Sequence, residues 1–284
     1  MQAVVTSLRQ ITMKRELFIV YDAEAIFAER ERLKAGIDCE PGELMGDIDI
    51  GPEIELAKAA SAVVVVSKKD RETMLAAGLD DVYVIGHQIA PRPTPATFDQ
   101  RRTILFVGAM HGAENPNADS IRYFCRSIWP PVREATSATL VIVGYGTDVA
   151  VGDLSTECIR VLGTRDDLTS FYDDARVFVV PTRYAAGIPY KAHEAAAHGV
   201  PMVVSRVIAD QLEWCDEEDY LVGSDAREFA ENCCRLYKDP HLWQQLRSNA
   251  LRRAEEELNE RIAAETLSKL IERAGNVTPT HSQL

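Results

Sequence analysis

The chain has 284 residues, room for two ordinary domains at roughly 150 residues each, and its 46% hydrophobic and 26% charged composition is that of a globular protein. A net charge of −13 argues against nucleic acid as a partner, because a phosphate footprint needs a basic patch or stripe. No apolar run approaches the ~20 residues of a membrane-spanning helix, and the N-terminal MQAVVTSLRQITMKREL lacks the layout of a signal peptide.

In the first part of the chain, short β-branched runs predict strands at Leu17–Tyr21, Ala62–Val66 and Val82–Ile85. Helical patterns between them cover Ala23–Ala35, Pro52–Ala60 and Lys69–Ala77, with an acidic loop over Gly36–Gly51. The segment from Gly86 to Thr97 is proline-rich, can continue neither a helix nor a central strand, and is the expected connection between domains. Beyond Arg101 come six strands: Thr103–Val107, Thr139–Val143, Ile159–Leu162, Val177–Pro181, Met202–Ser205 and Tyr220–Val222. Helices are expected at Asn117–Ile128, Arg165–Asp174, Tyr190–His198 and Ala226–Lys238, then at His241–Glu257 and Arg261–Ala274 before a polar tail. Continuous apolar strands alternating with helices predict an α/β fold with parallel sheets buried on both faces. The six cysteines, at 39, 125, 158, 215, 233 and 234, show no Cys-x-x-Cys spacing. Zinc or thioredoxin-like chemistry is therefore unsupported, and a reducing cytoplasm is the expected setting.

Ligands of open parallel sheets bind beyond the carboxyl ends of the strands, so three loops matter. The first carries Gly108, His111, Gly112, Asn115, Pro116 and Asn117. Its glycines permit close backbone approach, Asn117 is the expected N-cap of the next helix, and the free N–H groups there suit a phosphate. A ligand-free strand-to-helix turn fits the same residues, and His111 taken alone reads as an exposed loop side chain, with a ligand contact as the other reading. The second, Gly144-Tyr145-Gly146, is a bare Gly-x-Gly without the rest of a dinucleotide fingerprint. The third runs from Pro181 to Pro201 and contains a short Ala-rich helix. Lys191 sits in that helix's first turn, where the macrodipole disfavours a cation by ~0.3–1 kcal/mol; an anion sharing the helix start would account for it. Glu194, three residues on, shares the face of Lys191 and has the oxygens to accept from vicinal ribose hydroxyls. A solvated Lys–Glu surface pair is the other reading. His193 and His198 are five residues apart, which does not gather them for a metal.

The stretch from Asp167 to Val204 resembles glycosyltransferase family four, the "group 1" retaining enzymes of GT-B fold. The family shows a strand ending a-a-r-v-f-v-x-P, then a Gly-rich loop, then K-x-x-E-A-x-x-x-G-x-P-V-V. Here those elements are Asp174 to Pro181, the loop through Gly187, and Lys191 to Val204. Phe106-Val107-Gly108 followed by Asn115-Pro116-Asn117 is similar to one branch of it. The resemblance covers about Leu105 to Asp239, and more weakly Leu17 to Ile85.

The resemblance implies a GT-B-like α/β fold: a partial N-terminal Rossmann-like domain over 1–90, a complete donor-binding Rossmann-like domain over 101–258, and a C-terminal helix and tail over 259–284. It implies transfer of a sugar from a nucleotide-diphosphate sugar to a glycan acceptor, in polysaccharide biosynthesis, in the cytoplasm or at the inner membrane face. No cofactor or metal is expected. Lys191 would bind the donor diphosphate and Glu194 the ribose. Arg183 and the Gly187–Ile188 backbone would line the diphosphate pocket, with Gly108 beneath it and His111 and Asn117 beside it. Two departures stand out. Ala186 occupies the position of the first of the family's two acids, although a branch with an R-F-G-A-G-I-x-x-K loop also has alanine there. The part before Arg101 matches only the second half of an acceptor domain, so a further N-terminal segment, a protein partner, or a non-catalytic nucleotide-sugar-binding module is expected. Asp22 and Glu24 are candidates for an interdomain cleft, or equally a strand-end turn and a helix-start acid.

Overall fold

The computed structural model describes residues 17–38, 49–112 and 115–275. Most of the acidic loop, Cys39 and the polar tail lie outside them. Among the described residues every cysteine is a free thiol, and no helix is long and apolar enough to cross a membrane.

The chain divides into two compact units. Among the described residues the first is assembled from 17–38, 49–88, 186–188 and 259–275. Its sheet holds β1 (Val20–Ala23), β2 (Ala62–Val65) and β3 (Val82–Val84), all parallel and in that order. Connecting them are α1 (Phe27–Asp38), α2 (Gly51–Ala57) and α3 (Lys68–Ala76). The β1 strand begins three residues later than its apolar run suggests, and α1 starts at Phe27 rather than Ala23, because β1 continues to Ala23 in register with Val65. Val63, Val65, Met74 and Ile54 form the core on one face of the sheet. On the other, Ala62 and Val64 pack against Leu270 of the terminal helix (Glu260–Gly275), and Arg273 pairs with Asp81.

The second unit, Ile89–Ala185 with Pro189–Leu258, is a six-stranded parallel sheet. Its strands are β4 (Thr103–Val107), β5 (Thr139–Val143), β6 (Ile159–Val161), β7 (Ala175–Val180), β8 (Met202–Ser205) and β9 (Leu221–Gly223). Their spatial order is β6-β5-β4-β7-β8-β9. The chain first builds outward from β4 in one direction and then, from β7, in the other. The switch point therefore lies between β4 and β7, the place where such sheets bind ligands. All five residues of β4 are buried, as expected for a central strand covered on both faces.

Helices α4 (Pro116–Tyr123) and α5 (Trp129–Ala135) flank a π-helical turn, Phe124–Ile128, where the sequence suggested one continuous helix. Next come α6 (Thr147–Val151), α7 (Thr169–Asp174), α8 (Tyr190–Ala197), α9 (Arg206–Leu212), α10 (Ala226–Lys238) and α11 (Pro240–Glu257). The proline-rich segment is less of a free connection than its composition suggests. From Ile89 onward it belongs to the second unit, where Arg92 N–H and Thr94 N–H donate to the Ala197 and His198 carbonyls at 2.8 and 3.2 Å. Arg101, at its end, is fully buried and donates to the Ala96, Tyr172 and Ala175 carbonyls at 3.0, 2.8 and 2.8 Å.

Candidate functional site

The β4–α4 and β5–α6 turns lie backbone against backbone at one side of the switch point. Gly108 N–H donates to the Val143 carbonyl at 3.1 Å and Met110 N–H to the Tyr145 carbonyl at 2.8 Å. Gly144 has φ +141°, and a Cβ there would stand 2.3 Å from the Gly108 carbonyl oxygen; at Gly146, with φ +70°, it would stand 2.2 Å from that of Met110. The Gly-x-Gly of the second loop thus shapes the first loop: what its glycines approach is protein backbone.

Helix α4 is capped by Asn115, not Asn117: the Asn115 side chain accepts from Asn117 N–H at 2.8 Å. With Pro116 at the first helical position, Asn117 falls one residue inside the helix, and its carboxamide is released for other work. That cap should be worth about 1 kcal/mol, so Asn115→Ala is expected to lower the unfolding free energy by that amount in urea denaturation, without changing the m-value.

The freed Asn117 side chain joins two parts of the site. Its Nδ2 donates to the Ala109 carbonyl at 2.9 Å, and its Oδ1 accepts from Lys191 Nζ. Gly108 leaves room for it, since a Cβ there would meet Asn117 Cγ at 2.9 Å. Lys191 Nζ also sits 4.6 Å from the centroid of the Phe106 ring, a cation–π contact across β4. Lys191 as a residue is half-buried, but its ammonium is the part withdrawn from water, and burial pulls its pKa down to about 7. Among the described residues no carboxylate pairs with it. Helix α8 begins at Tyr190 after Pro189, which makes no side-chain cap, so the cation stands in the first turn of the helix, where Ala192 N–H donates back to the Pro189 carbonyl at 3.0 Å.

Glu194 lies one turn along α8 from Lys191, and its Oε2 accepts from Tyr172 Oη at 2.8 Å. Arg183, beyond the end of β7, makes a two-pronged pair with Asp119 of α4, its Nε reaching Oδ2 at 2.9 Å, and its guanidinium lies 5.0 Å from the Tyr123 ring centroid. Its charge is thereby already matched. His111 is exposed and leans on Tyr145 with ring centroids 5.2 Å apart. Gly187 and Ile188 fall in the first unit, where a Cβ on Gly187 (φ +69°) would meet the Glu24 carbonyl oxygen at 2.6 Å. His193 is buried and stacks on Trp214; His198 stacks on Tyr172. Among the described residues no three His, Cys, Asp or Glu side chains gather as a metal set.

Of the residues singled out in the sequence, Gly108, Asn117 and Lys191 meet directly. Tyr172 and Asp119 were missed. Both lie in elements already drawn, but neither side chain announces its partner 22 or 64 positions away.

The first unit has its own cleft of about 960 Å³, with an apolar wall including Val20, Leu270 and Ile271. Asp22, Glu24 and His87 are among its polar lining, so both acids noted in the sequence open onto it.

Residues 101–239 match the family model described as "Glycosyl transferases group 1". No curated protein matches the chain. Among solved structures, sucrose-phosphate synthase from Thermosynechococcus elongatus superposes with a TM-score of 0.69 at 18% identity, over 91% of this chain and 68% of its own. HepE from Anabaena, solved in complex with UDP and glucose, gives 0.67 at 14% identity, over 95% and 75%. TarM from S. aureus gives 0.65 at 16% identity, over 81% of this chain and 48% of TarM. The chain thus spans about half the length of TarM. These identities establish the fold, an α/β arrangement of parallel sheets shared with GT-B glycosyltransferases.

Proposed function

With residues 101–239 matching the group 1 glycosyl transferases, we propose that this chain binds a nucleotide-diphosphate sugar at the β4/β7 switch point and transfers the sugar to a glycan acceptor with retention of configuration. The observation that carries the reading is Lys191: a desolvated ammonium at the start of a helix, with an amide and an aromatic face for company and no counter-ion among the described residues. A diphosphate would supply a counter-charge and lie at the positive end of the α8 dipole. The same cation and helix start would stabilise the departing nucleoside diphosphate, a preorganised electrostatic role that requires no metal. Glu194, one turn away, would take the ribose. Gly108 and Asn117 would form the floor and His111 the rim. Arg183, held by Asp119, would shape the wall through that pair.

A second reading, a non-catalytic nucleotide-sugar-binding module, is favoured by Ala186, which offers no carboxylate to the sugar ring. Polysaccharide assembly, a cytoplasmic or inner-face setting, and a further segment or partner completing the acceptor side remain part of the proposal.

Titration with UDP, GDP and ADP and their sugars, followed by assays of donor hydrolysis and transfer, tests the reading. Binding with turnover supports the transferase, binding without turnover supports the module, and no binding by any of them rejects both. Affinity should also fall as pH rises above about 7, because the free protein then has to take up a proton to present a charged lysine. The limiting slope is about tenfold per pH unit.

A further inference from the structure

We propose that Tyr172 is a positioning residue, fixing the Glu194 carboxylate so that one oxygen is held and the other faces the hydroxyls of a nucleotide ribose. The inference rests on the donor reading above.

Everything about Tyr172 restricts it to one pose. The side chain is fully buried. Its ring stacks on His198 with centroids 4.3 Å apart and planes 7° apart, and on Phe178 at 6.0 Å and 26°. Its backbone carbonyl accepts from the buried guanidinium of Arg101 at 2.8 Å. The phenol that emerges from this packing donates to Glu194 Oε2 at 2.8 Å. Burial and the neighbouring carboxylate raise the phenol's pKa well above its ordinary value, so it stays a donor at every working pH.

The consequence for Glu194 is geometric. A glutamate on a half-exposed helix face ordinarily samples several rotamers, at a cost in entropy when a ligand must freeze it. Here a rigid donor freezes it beforehand, and the bond occupies Oε2 rather than Oε1. Preorganisation of this kind raises affinity for the group the carboxylate meets and for nothing else on the ligand. A tyrosine serving only the core would affect stability and leave ligand discrimination untouched, which separates the two roles.

Tyr172→Phe keeps the ring and both stacks and removes only the donor. Wild type and variant are titrated with UDP, GDP and ADP, then with the 2′,3′-dideoxy counterpart of whichever binds most tightly. The wild type should prefer the ribonucleotide. The variant should lose about 5–10-fold in ribonucleotide affinity, less than a whole hydrogen bond to a charged group is worth, because the carboxylate is loosened rather than removed, while its dideoxynucleotide affinity stays constant. In a Glu194→Gln background the same substitution should change neither affinity. Equal losses for both ligands, or no loss for either, overturn the inference, with thermal unfolding of the variant identifying any general loosening. If the wild type binds none of the nucleotides, the donor reading falls and this inference falls with it. If it binds them without preferring ribose, the donor site stands and the role given to Tyr172 is rejected.

Discussion

Lys191→Met should weaken nucleoside-diphosphate binding by about 100-fold, the scale of losing a charge-assisted contact, while making the unliganded protein more stable. The two effects have one cause. Burial holds the lysine pKa near 7 in the folded chain, against roughly 10.4 when unfolded. The unfolded state therefore binds the proton more tightly. Below about pH 7 the folded protein carries the full cost of a desolvated charge; as pH rises from 7 towards 10 that cost disappears and stability increases. Methionine keeps the bulk of the stem and its contact with Phe106, and removes the charge. The variant should show a higher unfolding temperature at pH 6 and lack the rise that this lysine gives the wild type between pH 7 and 10. Thermal unfolding at both pH values together with nucleotide titration checks this. Unchanged affinity would remove Lys191 from the site.

The second large effect is expected at Gly144, on the opposite side of the switch point from Lys191's helix. Gly144→Ala places a Cβ 2.3 Å from the Gly108 carbonyl oxygen at φ +141°, and both neighbours are backbone. No rotamer change relieves such a clash, so the β4 and β5 turns have to separate. Backbone strain of about 1–2 kcal/mol and overpacking of about 1–3 kcal/mol add to roughly 3 kcal/mol of destabilisation. Separation also withdraws Gly108 and Ala109 from beneath Asn117, and with them the carbonyl that holds its amide. Nucleotide affinity should therefore drop together with stability. Gly112→Ala is the control: a methyl at that glycine would have no atom of the described residues within 4 Å of it, so the loss of the backbone preference is what is read. Urea denaturation of both variants distinguishes the contact from the preference.

The alternation of strand and helix was legible because each strand is a continuous apolar run. Thr103–Val107, Thr139–Val143 and Met202–Ser205 have the bounds their composition suggests. Elements without that contrast were not. Thr147–Val151 and Arg206–Leu212 are short helices with weak periodicity, and Trp129–Ala135 starts in a Trp-Pro-Pro run that reads as a break. Proline there occupies the first turn, where a missing N–H costs nothing. Within the site, Gly108, Asn117 and Lys191 were marked by residue type and by their place after strands. What they do depended on tertiary pairing. Asn117 looked like a cap because it opens an apolar pattern, but Asn115 took that position and left its amide to Lys191. Arg183 was placed beside the diphosphate by family resemblance alone, and its pair with Asp119 of α4 depends on tertiary contact. Tyr172 carries no local signal of any kind, since its partner Glu194 lies on a different helix.

The terminal helix, Glu260–Gly275, completes the core over Ala62 and Val64 of the first unit. That places a timing constraint on biosynthesis. Strands β1 to β3 leave the ribosome before any of the second unit, yet Ala62 and Val64 meet Leu270 only once the helix Glu260–Gly275 has been made. At about 5–20 residues per second, translating the intervening chain from Ile89 to Leu258 takes on the order of ten seconds or more. The second unit can close during that interval, whereas the earlier-made unit finishes last. A released chain truncated just before Glu260 should accordingly resist protease over Ile89–Leu258 while the sheet of β1 to β3 is digested.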